Sequence, residues 1–338
     1  MKNTLYVATN GLSVWYSEDN GETLTRLQSD SGMYSGSQVW SLATHPQRRN
    51  ELLAGTEIGI FRMDRAKKRW KRLAFDADKT LVTALAYAPD DPDIILAGTQ
   101  PAGLHRSDDG GRTWRRLDAP MAEYLSISVV DGHIRAPADS EEPIRHWTRV
   151  TQILFDPADS SKVWAGVEID NVWRSTDGGR TWTKHRNGLI SADIHGFAVV
   201  SNGQRKLFAA TNEGLHVSRD EGQTWEPQRL NSPWQYVRSV AARPDGSGVV
   251  FLTNGDGPPG TDGRLLRSRD FGASWENAGL PGEVQSTIYT LAVNEADPNL
   301  IFAASSLGQI YRSQDGGENW QAMKRRLGEI RAIAWLPN

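Results

Sequence analysis

The chain has 338 residues, 38 Lys+Arg against 41 Asp+Glu, and a formal net charge of −3. That balance supplies no general attraction to a polyanion, which excludes nucleic acid as the default partner. The absence of cysteine removes disulfides, zinc–thiolate sites, iron–sulfur clusters and a cysteine nucleophile, and no apolar run approaches the ~18 residues of a membrane-spanning helix.

Residues 1–10 enter strand-like sequence directly and lack the ~7–15-residue apolar stretch of a signal peptide, so the expected address is cytoplasmic and no membrane partner is expected. A first strand over 4–9 runs into the box Ser17-Glu18-Asp19-Asn20-Gly21-Glu22-Thr23-Leu24. A worn copy spans 63–70. The box then returns as Ser107-Asp108-Asp109-Gly110-Gly111-Arg112-Thr113-Trp114 and as Ser175-Thr176-Asp177-Gly178-Gly179-Arg180-Thr181-Trp182. Further copies begin at Ser218, Ser268 and Ser313 and end at Trp225, Trp275 and Trp320. The box aspartates stand at 19, 64, 109, 177, 220, 270 and 315, in steps of 45, 45, 68, 43, 50 and 45. Steps of ~40–50 residues are the period of a four-stranded propeller blade.

Each unit supplies short β runs separated by Gly, Pro and Asp turns, and no helical periodicity competes. The expected fold is all-β: a single seven-bladed β-propeller forming one domain over 1–338. Blade one is 4–27 plus 330–337. Blades two to seven cover about 39–73, 82–117, 150–185, 194–228, 237–278 and 288–323. Blade one begins at its second strand, and 330–337 matches the innermost strand of the other units, so the C-terminal strand is expected to pair into blade one and close the ring.

The box resembles the Asp-box, or BNR repeat, Ser-x-Asp-x-Gly-x-Thr-Trp, shared by sialidases, xyloglucanases, sortilin-type receptors and the photosystem II assembly factor family. The resemblance implies the fold but no single function, because those proteins do unrelated things. It also implies that the boxes lie on the face opposite a site. Sialidases add an arginine triad, an early Arg-Ile-Pro motif and a tyrosine nucleophile on six blades. The one Arg-x-Pro here, Arg135-Ala136-Pro137, falls inside the long insertion, so classical sialidase activity is not expected. Xyloglucanases of this repeat type use two facing propellers, and the assembly factor is similar in size and blade number.

The seven copies serve as an internal alignment. On the innermost strand the first position is Val39, Val82, Val150, Ile194, Val237, Ile288 and Ile330, uniformly a packing residue. The second is Trp40, Thr83, Thr151, His195, Arg238, Tyr289 and Arg331, with no apolar consensus. These side chains are expected at the mouth of the central channel. Two insertions open on the same face, at 118–149 and 254–264, as insertions that build a binding face do. The longer carries His133, Glu141, Glu142, Arg145, His146 and Trp147 and is expected to form a lid or wall. Glu168 and Asp170 lie on a neighbouring loop.

Three readings follow. In the first, the mouth is an active site for a small anionic substrate, a carboxylate or a sugar acid. Arg238 and Arg331 clamp the anion, with Trp40 and Glu168 beside them. His195 moves a proton, with His146 as a further acid or base, and Tyr289 stabilises developing charge. These groups suit hydrolysis, slightly preferred, or elimination; no cofactor is expected. In the second, the same face is a non-catalytic scaffold for a protein segment, as the assembly-factor resemblance implies. In the third, His146, His195 and Glu168 hold a divalent metal for a metal-dependent variant of the first. The opposing bland readings are an arginine paired with Glu329, a His195 bonded to a backbone carbonyl, and a purely packed Tyr289.

Overall fold

The computed structural model describes residues 2–75, 80–130, 133–135, 144–201 and 203–338. Seven four-stranded antiparallel sheets follow one another along the chain. The innermost strands are Ile330–Pro337, Val39–Ala43, Leu81–Tyr87, Val150–Asp156, Ile194–Ser201, Tyr236–Ala242 and Ile288–Ala292. Each packs beside the next, and Ile288–Ala292 packs beside Ile330–Pro337, so the ring is complete. It is closed by antiparallel pairing of Asn3–Thr9 with Ile330–Pro337, from Asn3 opposite Pro337 to Thr9 opposite Ile330.

The core is seven wedges rather than one mass. Each hydrophobic cluster mixes side chains from two neighbouring blades, as in Leu96 and Leu104 with Val163 and Trp173 between blades three and four. A second strand buried on both faces must be apolar almost throughout, as Glu51–Thr56 and Val250–Gly255 are. The outermost strands are short and exposed, for example Arg115–Arg116 and Gln321–Ala322. Short, charged edges of this kind resist pairing with other chains.

The boxes are structural. In each of six blades the serine hydroxyl donates to the aspartate carboxylate, and the serine oxygen accepts the amide two residues beyond the aspartate, as with Ser175, Asp177 and Gly179. The aspartate also takes the amide and hydroxyl of Thr181. Burial opposes the charge on Asp177, Asp270 and Asp315, but these bonds outweigh it and hold all three carboxyls at about 2. The box tryptophan then packs on the preceding blade, as Trp275 does edge-on against Phe208.

A second periodic device is an arginine latch. Arg106, Arg267 and Arg312 each precede a box serine. They donate to the carbonyls of Gly178, Gly317 and Asn20, in the box of the following blade. Arg62 does the same to Gly110. Blade five has Val217 at that place, and Lys206 reaches the Phe271 carbonyl at 3.1 Å instead.

His105 and His216 fill one equivalent packing slot. Both are buried, and burial pushes both imidazoles down to about 4.

The insertion between blades three and four contributes a small sheet of its own. Tyr124–Val130 pairs with both His133–Arg135 and Ile144–Trp147. Its base is held by the Ala122 amide on Asp170 and by Gln100 on the Trp147 carbonyl. Glu141 and Glu142 lie outside the described residues.

Candidate functional site

The second position of the innermost strand is special for a geometric reason. In all seven blades it is the extra residue of a β-bulge. Trp40 has no partner between the pairs Val39–Thr56 and Ser41–Gly55, and the same gap falls at Thr83, Thr151, His195, Arg238, Tyr289 and Arg331. A bulge breaks the in–out alternation and re-aims one side chain. Here it turns one residue per blade away from the apolar wedges.

These residues meet around the channel. Arg238 Nη2 donates to the Tyr289 hydroxyl at 2.7 Å, and Arg331 Nη1 donates to the same oxygen at 2.9 Å. The Arg238 guanidinium lies over the Tyr289 ring at 4.1 Å, and that of Arg331 over Trp40 at 4.0 Å. A third arginine, Arg149, faces Trp40 at 5.3 Å and binds Glu168 at 2.7 Å. Arg331 is paired with Glu329, which Asn10 also holds. Arg238 makes no ion pair among the described residues.

Burial alone pushes the Tyr289 phenol up. The charges of Arg238, Arg149 and Arg331 outweigh it and hold the group below the ordinary tyrosine value of 10.0. For Tyr236, beside Arg238, burial outweighs the lowering charges of Arg238 and Arg149 and drives its phenol well up. The two tyrosines are thus shifted in opposite directions, Tyr289 down by the arginine charges around it and Tyr236 up by burial.

His195 is engaged at both ring nitrogens. Nδ1 donates to the Val237 carbonyl at 2.6 Å, and Nε2 lies 3.2 Å from Asp193 Oδ2. Burial opposes the charge on Asp193, but His195, Arg238 and Arg149 hold its carboxyl below the usual range. His146 lies on the inserted sheet with Nε2 3.9 Å from Glu168. His146, His195 and Glu168 are not brought together as a ligand set, and no cluster of three metal-binding side chains occurs among the described residues.

Of the residues singled out in the sequence, Trp40, Arg238, Tyr289 and Arg331 form one contact network. Glu168 joins it through Arg149, and His146 sits at its edge. The sequence reading passed over Arg149 and Tyr236. A signal for them existed. The position just before the innermost strand reads Gln38, Leu81, Arg149, Asp193, Tyr236, Thr287 and Glu329, as varied and polar as the second position. The far half of the channel opens into a cavity of about 730 Å³ lined by Leu42, Leu154 and Ile333 together with Gln152, Arg243 and Glu295.

No protein-family model matches the chain. A xyloglucanase from a Paenibacillus species is 25% identical over 335 residues, covering 84% of this chain and 31% of the relative. An oligoxyloglucan-reducing end-specific xyloglucanase from Emericella nidulans is 22% identical, covering 85% of this chain and 40% of the relative. The chain thus spans less than half the length of these curated relatives. Among solved structures, a GH74 xyloglucanase from Xanthomonas campestris superposes with a TM-score of 0.67 at 19% identity, covering 99% of this chain and 52% of the other. YCF48 bound to D1 peptide superposes with a TM-score of 0.53 at 16% identity, over 85% and 81% of the two chains. Identities this low establish the shared fold. The chain is a seven-bladed β-propeller of the architecture found in these xyloglucanases and in YCF48.

Proposed function

We propose that the channel mouth is the active site of a hydrolase whose substrate is a carbohydrate bearing a carboxylate. One observation carries this reading: among the described residues Arg238 makes no ion pair, and its guanidinium lies against a tyrosine oxygen already held by Arg331. An unpaired guanidinium in a partly buried site is costly unless an anion completes it, and Arg matches a carboxylate bidentately. The likeness to proteins named as xyloglucanases supports a sugar as the rest of the substrate. Arg238 binds the carboxylate. Tyr289 offers an oxygen suited to act as nucleophile or base at the anomeric centre. His146, 3.9 Å from Glu168 at the edge of the network, is the group proposed to supply a proton to the leaving group. Trp40 holds the Arg331 and Arg149 guanidiniums over its ring.

The test is a panel of aryl glycosides, uronides against their neutral counterparts, with xyloglucan alongside. Hydrolysis of uronides is expected. Arg238→Gln should lower kcat/KM for the uronide by about 10–150-fold, the value of one charged hydrogen bond, and leave any neutral glycoside unchanged. An equal loss on both substrates contradicts the clamp. Release of an unsaturated sugar in place of a reducing end assigns elimination.

A second reading has its own observation. Among the described residues the exposed large apolar side chains are Tyr34, Ile58, Tyr124, Trp147, Ile190 and Leu307, all in connections between strands or in the inserted sheet on the mouth face. Apolar exposure gathered on one face suits protein contact, and YCF48 is described with a bound peptide. Under this reading an acidic peptide binds the purified protein, no glycoside is cleaved, and Arg238→Gln abolishes the binding.

A further inference from the structure

The bulge residues of blades three, four and five are linked, each to the next blade, into a belt along part of the channel. Thr83 Oγ1 donates to the Val150 carbonyl at 2.6 Å, and Thr151 Oγ1 donates to the Ile194 carbonyl at 2.6 Å. His195 Nδ1 donates to the Val237 carbonyl at 2.6 Å. In each case the acceptor is the carbonyl immediately before the bulge residue of the next blade. Three consecutive bonds of equal length thus pin three consecutive bulges. The next link changes character, because Arg238 reaches not a carbonyl but the Tyr289 hydroxyl.

We propose that His195 is a positioning residue, which fixes the Val237–Arg238 bulge and so aims the Arg238 guanidinium at Tyr289. Its chemistry fits that task. The Val237 carbonyl can only accept, so Nδ1 donates to it, and Nε2 is the nitrogen turned to Asp193. Both ring nitrogens are thereby occupied by groups of the protein. Asp193 fixes the ring from the far side and extends the link to the loop before blade five. The proposal rests on the reading of the mouth as an anion site only for its functional consequence. The geometric claim stands or falls separately.

The neighbouring blades supply the test. Threonine makes this bond at positions 83 and 151, so His195→Thr should restore the link to Val237 with no imidazole present, whereas His195→Ala removes both. The readout is ultraviolet titration of tyrosine ionisation, which needs no substrate. Subtracting the Tyr289→Phe variant isolates Tyr289, which reports how closely Arg238 is held. In the wild type Tyr289 should ionise below the other tyrosines. His195→Ala should move it up toward the free value, and His195→Thr should leave it low. Asp193 loses its partner equally in both variants, so their difference reads the bond alone. Thr151→Val breaks the belt one blade earlier and should move Tyr289 less than His195→Ala.

If His195→Ala fails to fold, His195→Thr still decides the matter, because a role needing the imidazole predicts loss in that variant. Equal shifts in the two His195 variants, no shift in either, or no early-ionising tyrosine in the wild type each overturn the proposal. A protein that cleaves no glycoside yet shows the predicted shifts would remove the hydrolase reading and leave this one intact.

Discussion

A chain ending at residue 329 is expected not to fold. The deleted strand carries Ile330, Ile333, Trp335 and Leu336, all buried. Full burial of four such side chains is worth about 6–12 kcal/mol, against a total stability of about 5–15 kcal/mol for a typical domain. The deletion also leaves Asn3–Thr9, buried along its whole length, as an open edge between blades seven and two. A milder variant separates closure from chain length. Trp335→Ala keeps the strand but empties the wedge shared with Leu5, Val7 and Phe302, at an expected cost of about 3–5 kcal/mol. Circular dichroism and urea denaturation read both. A truncated chain that melts where the full chain does would show that the ring is not held by this strand.

The second large effect concerns the box glycines. Gly272 has φ +76°, and a Cβ there would overlap the ring of Phe208 on the preceding blade. Gly272→Ala should therefore suffer twice. The left-handed backbone costs a residue with a Cβ roughly 1–2 kcal/mol, and forcing atoms into a filled wedge adds about 1–3 kcal/mol. Gly246 is the control, with φ +71° and nothing within 4 Å of its added Cβ. Gly246→Ala should cost only the backbone share. Denaturant midpoints measure the difference directly. Equal losses in the two variants would mean that the box is a local turn and not part of the contact between blades.

Much of this was legible in the sequence because a propeller repeats its own evidence. Seven copies expose which positions vary, and variation at a place the fold does not need marked Trp40, His195, Arg238, Tyr289 and Arg331. The bulge at that position explains why variation is tolerated there: its residue leaves the pleat and packs into no wedge. Arg149 and Tyr236 were missed because they precede the apolar strand, where a polar residue reads as loop. The latch arginines were missed for the opposite reason. An arginine beside a turn reads as solvated, and only the next blade's approach shows Arg106 and Arg267 to be buried. For His195 the sequence offered both a proton-transfer role and a bond to a backbone carbonyl. Its carbonyl partner, Val237 O, lies 42 residues away, which residue type alone does not disclose. The inserted strands at 124–147 escaped because they join no blade, so no other copy reveals them.

The central claim is that Arg238 awaits an anion at the channel mouth. The most direct measurement is the melting temperature of the protein with D-glucuronate against D-glucose, in the wild type and in Arg238→Gln. Ligand at about 100 times its Kd stabilises the folded state by about 2.7 kcal/mol. The account predicts that the acid raises the melting temperature, that the neutral sugar does not, and that Arg238→Gln abolishes the difference. Stabilisation by both sugars alike, or a response to the acid that survives in Arg238→Gln, would contradict it.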